Sequence, residues 1–232
     1  MIKSNSCVYF VPPHPLFNKD EVPLFGSFDK KNSIHLYLTL ILNYKEIINN
    51  IIPPVSTIFC FDENDRGYIP EDFSGGKTKN FYINTSDKSF LKAIYDKYFT
   101  QYKYNLLILT NTISISSSDI SKIFDLLSRE DETLTIGITH KKRIAFIGFN
   151  SVSSDMLYDI DLKNLSYEKL LNKLCRFDYF IHVIDGLISV NDHDDFKNLY
   201  IELSKKENYG YCSQSIHERF THLFIEYKEL LK

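Results

Sequence analysis

Residues 104–150 constrain the fold of this chain more than any other stretch. An apolar run at 106–109 is followed by a polar loop, by apolar positions at helical spacing within 120–127, and by two further apolar runs at 133–138 and 144–149. Short continuous apolar runs are typical of strands buried on both faces, and a helix that links such strands packs against their sheet. The segment therefore predicts a strand, a helix and a pair of strands joined by a tight turn.

The rest of the chain repeats this alternation of short apolar runs and amphipathic stretches. Further strands are predicted at residues 7–11, 55–61, 81–83 and 179–184. Further helices are predicted at residues 33–50, 90–98, 166–176, 191–204 and 215–231. Because no internal repeat or flexible linker interrupts this order, residues 1–232 are expected to form one α/β domain with a mixed, mostly parallel sheet.

Composition and charge exclude several classes of protein. Apolar residues make up 44% of the chain, which is enough for a substantial core, yet no stretch has the length of a membrane span and the N-terminus lacks the pattern of a signal peptide. A net charge of −3 provides no global basic field, so a nucleic-acid partner is not expected. The oligomeric state stays open.

The four cysteines are widely spaced and form no C-x-x-C pair. This usage suits a reducing compartment, and we expect a cytoplasmic protein. Cys60 and Cys175 lie in apolar runs, and both are expected to be small core residues.

Three short motifs follow one another along the segment 104–150. One strand ends in Leu-Thr-Asn-Thr at 109–112, the next leads into Gly-Ile-Thr-His-Lys-Lys-Arg at 137–143, and the last ends in Ile-Gly-Phe at 147–149. This order resembles that of bacterial GT-A-like transferases, a glycosyltransferase-related family with relatives among the phospholactate guanylyltransferases. In that family the corresponding motifs are small-Asp-small-Pro, Gly-Pro-x-x-Asp-Gly-Gly and Ile-Gly-Leu.

The glycine and apolar skeleton of the family is kept here, but its acidic residues are replaced. Asn111 stands where the family has the Asp of its first motif. Lys141 replaces the Asp of the second motif, and Lys142 and Arg143 replace its two glycines. The resemblance therefore implies a single-domain, three-layer GT-A-like fold whose usual acidic motifs are degenerate.

A later segment carries the last part of the resemblance. Residues 190–196 are similar to the family's Asp-x-Asp-x-x-Glu-Asp-Leu, with Asn191 for the second Asp and Asp195 in the last acidic place. Members of the family bind a nucleotide-sugar or a nucleoside triphosphate, and commonly use Mg²⁺ or Mn²⁺ held by carboxylates. The resemblance implies the same small-molecule partner and the same choice of metals for this chain.

The candidates for contacting a nucleotide lie in the two loops at the expected carboxyl ends of the strands, where α/β proteins bind ligands. They are Thr110, Asn111, Thr112, His140, Lys141, Lys142 and Arg143. The amide of Asn111 could serve a weakened metal or ribose site, or it could cap the strand end. The four basic residues could clamp a phosphate directly, or they could form a solvated hairpin tip.

Three carboxylates are candidates as metal ligands, namely Asp62, Asp192 and Asp194. Divalent cations such as Mg²⁺ prefer oxygen ligands, and Asp62 follows a predicted strand on the ligand-binding side of the sheet. Alternatively, Asp62 belongs to an acidic loop beside Arg66, and the acidic residues at 192–195 begin a helix, where negative charge favours the helix dipole.

Two hypotheses about function follow from these patterns. In the first, the protein is a working nucleotide-sugar or nucleotidyl transferase in which Asn111 and the basic turn at 140–143 replace the usual metal centre. In the second, it is a non-catalytic relative that keeps the fold and binds a small ligand or a protein. No residue is assigned as catalytic under either hypothesis.

Overall fold

The computed structural model describes residues 5–73, 78–84, 90–157, 160, 166–205 and 211–231. In this part of the chain one sheet is formed by the strands β1 (Ser6–Val11), β2 (Ser56–Asp62), β3 (Thr78–Ile83), β4 (Tyr104–Leu109), β5 (Thr133–Thr139), β6 (Ile144–Phe149) and β7 (Phe180–Leu187). The helices are α1 (Lys30–Ile48), α2 (Phe90–Lys97), α3 (Ser117–Leu127), α4 (Ser154–Leu157), α5 (Tyr167–Leu174), α6 (His193–Leu203) and α7 (Gln214–Glu226). None of these helices is long and apolar enough to cross a membrane.

The strands lie in the order β3-β2-β1-β4-β6-β5-β7, with β4 at the centre. Strand β6 runs antiparallel to β4 and β5, and all the other adjacent pairs are parallel. The predicted mixed, mostly parallel sheet is therefore confirmed. As a result, the carboxyl ends of all the strands except β6 lie along the same edge of the sheet.

Side chains that alternate along each strand build a core layer on either face of the sheet. Cys7, Tyr9 and Val11 of β1 pack in one apolar cluster with α2, α4 and α5, whereas Val8 and Phe10 pack in another with α1 and α3. Helices thus cover both faces, which gives the three-layer architecture. Burial on both faces also explains why the strands read as continuous apolar runs.

A third apolar cluster joins α1, α6 and α7 beyond the edge of these layers. Leu36 and Leu40 of α1 pack with Phe196 of α6 and Phe220 of α7. The same cluster contains Ile188, which follows β7. The cluster therefore anchors both the segment after β7 and the first turn of α6 at the carboxyl edge of the sheet.

Local predictions failed where a cap or a helix end decides the structure. Cys60 is buried as expected, but Cys175 is exposed because it follows the last turn of α5, beyond the buried Leu174. Helix α1 begins before the predicted residue 33, since the side chain of Asp29 accepts a hydrogen bond from the Asn32 N–H (2.7 Å) and caps the helix.

Candidate functional site

The carboxyl edge of the sheet brings together the polar segments that follow the strands. The loop after β4 and the segment after β7 are joined by backbone hydrogen bonds from the Ile113 N–H to the Ile188 oxygen (2.9 Å) and from the Val190 N–H to the Asn111 oxygen (2.8 Å). The turn between β5 and β6 lies beside them, because β5 pairs with β7. The two loops predicted from the sequence to contact a nucleotide, at residues 110–112 and 140–143, therefore both lie at the carboxyl edge of the sheet.

The turn between β5 and β6 is tight although it contains no glycine. The backbone N–H of Lys142 donates to the backbone oxygen of Thr139 (2.8 Å), and the backbone N–H of Thr139 donates to the backbone oxygen of Arg143 (2.9 Å). Lys142 has a φ of 57°, a left-handed conformation that costs a residue with a Cβ about 1–2 kcal/mol. The side chain of Lys142 pairs with Asp185 (3.1 Å), whereas Lys141 and Arg143 reach a different set of carboxylates.

Lys141, Arg143, Asp192 and Asp195 form a closed set of ion pairs, named here the ion-pair cluster. Lys141 Nζ lies 2.7 Å from Asp192 Oδ1 and 2.7 Å from Asp195 Oδ1. Arg143 Nη2 lies 3.1 Å from Asp192 Oδ2, and Nη1 lies 3.0 Å from Asp195 Oδ2. Each cation contacts both carboxylates, so the basic turn and the acidic segment, two separate candidate sites in the sequence, neutralise each other.

The electrostatics of the ion-pair cluster favour the charged forms of Asp192 and Lys141. Burial opposes ionisation of Asp192, but hydrogen bonds from Lys141, from the Asp195 N–H and from Arg143 outweigh it and lower the pKa of Asp192 to about 2. Burial likewise opposes the charge on Lys141, and the carboxylates of Asp192 and Asp195 nevertheless raise its pKa above the ordinary value. Asp192 and Lys141 therefore stay ionised at neutral pH.

A chain of hydrogen bonds that ends at Asp195 sets the orientation of the Asn111 amide. Asp195 Oδ2 lies 3.1 Å from an amide atom of Asn191, and that atom is the nitrogen because an ionised carboxylate can only accept. Asn191 Oδ1 consequently accepts a hydrogen bond from Asn111 Nδ2 (2.5 Å). Asn111 Oδ1 is left as a buried acceptor that has no hydrogen-bond partner among the described residues.

Two cavities flank the ion-pair cluster and share Ser189 in their walls. The smaller, of about 70 Å³, is lined by Pro13, Asn111 and Arg143 among other residues, and it has room for one or two groups the size of a water molecule. The larger, of about 230 Å³, has Lys141 in its wall. Each of the two cations therefore borders a different cavity.

Three more of the predicted nucleotide-binding residues lie at this edge but outside the ion-pair cluster. Thr110 is buried, and its N–H donates to the oxygen of Val11 (3.1 Å). Thr112 is buried as well, and its backbone oxygen accepts a hydrogen bond from the hydroxyl of Tyr44 (2.7 Å). His140 is exposed and lines the larger cavity.

The three metal-ligand candidates are not brought together. Asp62 lies at the end of β2, where its Oδ1 accepts from the Asn64 N–H (3.0 Å), while Asp194 is exposed and takes no part in the ion-pair cluster. Both oxygens of Asp192 and of Asp195 already contact cations. Across the described ranges no group of three or more His, Cys, Asp and Glu residues is arranged to hold a metal, so this donor set does not fit a divalent ion.

Sequence reasoning placed Asp65 in an acidic loop but missed its role, which is to hold the segment after β1. Its carboxylate is buried and accepts from the N–H groups of Leu16 (2.9 Å), Phe17 (2.7 Å) and Asn18 (2.9 Å). Burial raises the pKa of Asp65 in spite of these backbone hydrogen bonds. Pro13, which lies just before the segment that Asp65 holds, lines the smaller cavity. In the sequence, Asp65 is one acid in an acidic loop, and nothing there distinguishes the buried one.

Comparison with known proteins shows the fold but no closer relationship. No protein-family model matches the chain, and no curated protein matches its sequence. A candidate nucleotide-diphospho-sugar transferase from Desulfovibrio desulfuricans G20 has a similar structure, with a TM-score of 0.75 and 18% identity over 98% of this chain and 97% of that one. The chain thus has the fold of nucleotide-diphospho-sugar transferases, as its motifs suggested.

More distant structures share this fold. Rv0371c of Mycobacterium tuberculosis, solved in complex with manganese, gives a TM-score of 0.52 at 10% identity, over 85% of this chain and 98% of that one. The inositol-1-phosphate CTP transferase of T. maritima gives a TM-score of 0.51 at 8% identity, over 96% and 98%. At these identities the likeness extends to the fold alone.

Proposed function

We propose that this protein binds a nucleotide or a nucleotide-sugar at the carboxyl edge of its sheet and acts as a nucleotidyl or sugar transferase. The observation that carries the proposal is the convergence of Lys141 and Arg143 beside two cavities at the edge where open α/β sheets bind ligands. Structures with the same fold include proteins named as nucleotide-diphospho-sugar and CTP transferases, which supports the same class of ligand.

The two cations suit the phosphate groups of such a ligand. An arginine side chain offers a fork of N–H donors to two phosphate oxygens, and a lysine adds a compact charge. In a metal-dependent transferase a divalent ion neutralises the charge that develops on the leaving diphosphate. Lys141 and Arg143 together carry the same formal charge as that ion, so we propose that they replace it at this site.

Asn111 supplies a complementary group for the rest of the ligand. Its Oδ1 is a buried acceptor beside the smaller cavity, and a buried polar atom without a partner costs about 1–3 kcal/mol. A hydroxyl or amino group of the ligand would satisfy that acceptor. Nucleotides carry such donors on the sugar and the base within reach of their phosphates, whereas inorganic phosphate offers none at a similar distance.

A non-catalytic binding protein is the second candidate, and two observations favour it. Asp192 and Asp195 already neutralise both cations, and position 111 carries an amide in place of the family's carboxylate. A protein of this kind would bind a ligand or a partner through the same edge without transferring a group. Release of pyrophosphate from a nucleoside triphosphate, or of a nucleoside diphosphate from a nucleotide-sugar, separates the two candidates.

Thermal unfolding with UDP, CDP, GDP and their sugar conjugates, each with and without Mn²⁺, tests the proposed binding. We expect at least one nucleotide to raise the melting temperature without metal, since a ligand that binds only the folded state stabilises it by about 2.7 kcal/mol at roughly one hundred times its Kd. Stabilisation that requires Mn²⁺ would show that a metal neutralises the phosphates. The absence of any response would rule out nucleotide binding.

A further inference from the structure

The two carboxylates of the ion-pair cluster are held unequally. The side chain of Asp195 is 7% exposed, and its Oδ2 also accepts from the backbone N–H (3.0 Å) and the side-chain Nδ2 (3.1 Å) of Asn191. The side chain of Asp192 is 41% exposed and caps α6 by accepting from the Asp195 N–H (2.9 Å). Asp195 is therefore buried and fixed by hydrogen bonds, whereas Asp192 lies on the solvent side of the cations.

Asp192 occupies the positions that two oxygens of a phosphate would take. Its Oδ1 accepts from Lys141 and its Oδ2 accepts from Arg143, so one carboxylate bridges both cations. A phosphate group can bridge two cations in the same way, with an oxygen on each and a larger negative charge. If Asp192 moved away, Lys141 and Arg143 would keep Asp195 as a common partner and would stay in place.

We propose that Asp192 is an internal competitor, which a phosphate ester or diphosphate must displace from Lys141 and Arg143 when it binds. The inference rests on the proposed function, because it concerns the same two cations. Displacement is feasible because ion pairs at half-exposed positions contribute little to stability, and the released carboxylate regains water at the surface. Asp192 thereby sets the affinity of the site, so that only ligands with a dense negative charge are retained.

The competition operates over the whole physiological range of pH. The pKa of Asp192, about 2, keeps this carboxylate ionised at neutral pH, and mild acidification does not release the cations. Asp195, Lys141 and Arg143 are the charged groups that face it, and Lys141 also has a raised pKa. Ligand binding, and not a proton, is therefore the event that opens the contact.

The test replaces Asp192 with Asn and measures the Kd of inorganic pyrophosphate and of UDP, CDP and GDP by calorimetry. Asn caps a helix as well as Asp does, so Asp192→Asn removes the charge but keeps the cap. We expect Kd to fall on the order of tenfold, which corresponds to about 1.4 kcal/mol of lost competition. Asp192→Ser, another good cap, repeats the test if the Asn variant is unstable.

Asp194→Asn is the matched control, since it makes the same change in net charge two residues away, at an exposed position outside the ion-pair cluster. We expect its Kd values to stay within about twofold of the parent, because an exposed charge is screened by salt. Equal gains in the two variants would show a general effect of charge and would overturn the inference.

The remaining outcomes distinguish the inference from the proposed function. If the parent binds a nucleotide and Asp192→Asn binds it equally or more weakly, Asp192 does not compete and only the inference fails. If neither the parent nor the variant binds pyrophosphate or any nucleotide, the proposed function fails as well. If only the variant binds, the inference is supported, but the proposed function fails for the parent protein.

Discussion

Two carboxylates at the carboxyl edge of the sheet, Asp65 and Asp192, are each held by several hydrogen bonds but differ in the nature of their donors. Asp65 is fully buried and accepts from three consecutive backbone N–H groups. Asp192 is half-exposed and is held mainly by two cationic side chains, with one backbone N–H, that of Asp195, as a further donor. Backbone donors that lose their acceptor stay buried and unpaired, whereas side-chain cations can turn to another anion. The first arrangement anchors a loop, and the second can exchange partners.

The pKa values of the two groups move in opposite directions because, of the two, Asp192 is the one paired with cations. Burial without a cation raises the pKa of Asp65, because the backbone hydrogen bonds only partly offset the loss of water. Burial of Asp192 is outweighed by Lys141 and Arg143, so its pKa falls to about 2. Proximity to the same edge of the sheet therefore does not give two carboxylates the same role.

Replacement of Asp65 by Ala should give the largest effect on stability. The N–H groups of Leu16, Phe17 and Asn18 would lose their acceptor, and we expect the free energy of unfolding to fall by about 3 kcal/mol, measured by urea denaturation. Asp65→Asn keeps one acceptor oxygen and should lose less. A loss below about 0.5 kcal/mol for the Ala variant, typical of surface changes, would show that the carboxylate is not an anchor.

Replacement of Lys141 by Ala should have the largest effect on ligand binding. We expect the Kd of the best nucleotide to rise about tenfold, because a charge-assisted hydrogen bond to phosphate is lost. Lys142→Ala removes the same charge from the next residue, whose partner is Asp185, and should change Kd by less than about twofold. Similar losses in both variants would mean that the turn acts only through its total charge.

A smaller loss of affinity is expected when Asn111 is replaced by Leu, which has a similar shape but no acceptor. The Kd of a ribonucleotide should rise about fivefold, since one hydrogen bond contributes about 1 kcal/mol. Thr135→Val is the control, because it removes a different buried polar group, a hydroxyl within β5 that likewise lacks a partner among the described residues. An unchanged Kd in Asn111→Leu would exclude the amide from ligand contact.

The smallest expected effect is the dependence of stability on pH. The folded pKa of Asp192 lies below its unfolded value of about 3.9, so Asp192 stabilises the protein above about pH 4 and loses this contribution as pH falls towards 2. The difference in free energy of unfolding between the parent and Asp192→Asn should stay under about 1 kcal/mol, because the ion pairs are half-exposed and screened.

Asp65 should show the opposite dependence on pH. Its folded pKa is raised, so ionisation of Asp65 lowers the free energy of unfolding as pH rises through that value. When pH is lowered from 7 towards 4, the free energy of unfolding of the parent should therefore increase relative to that of Asp65→Asn. Urea denaturation of the parent and both Asn variants across pH 2–7 measures the two trends. Parallel trends would show that the two carboxylates occupy equivalent surroundings.

Much of the fold could be predicted from the sequence, because strands that are buried on both faces consist of continuous apolar runs. The runs predicted at residues 106–109, 133–138 and 144–149 are the strands β4, β5 and β6. The loops at residues 110–112 and 140–143 also lie at the carboxyl edge of the sheet, as predicted. Details decided by single residues did not follow, since the start of α1 depends on one side-chain cap at Asp29 and the exposure of Cys175 depends on the residue at which α5 ends.

The ion pairs of the candidate site could not be predicted from the sequence for a different reason. Lys141 and Asp192 are far apart in the chain, and only the pairing of β5 with β7 brings them together. A pattern of charges along the sequence identifies the candidates but not their partners, and so the basic turn and the acidic segment were treated as two separate sites although their side chains pair with each other. Nucleotide contact by Thr110, Thr112 and His140 stays a prediction.

The cancellation of charge within the ion-pair cluster has a consequence for the kinetics of encounter. An anion approaching this edge meets two positive and two negative groups, so the cluster itself exerts no net long-range attraction. We expect the association rate of a small anion to vary little with ionic strength, because the cluster provides no electrostatic steering. In Asp192→Asn the uncompensated cation should make association faster and sensitive to salt.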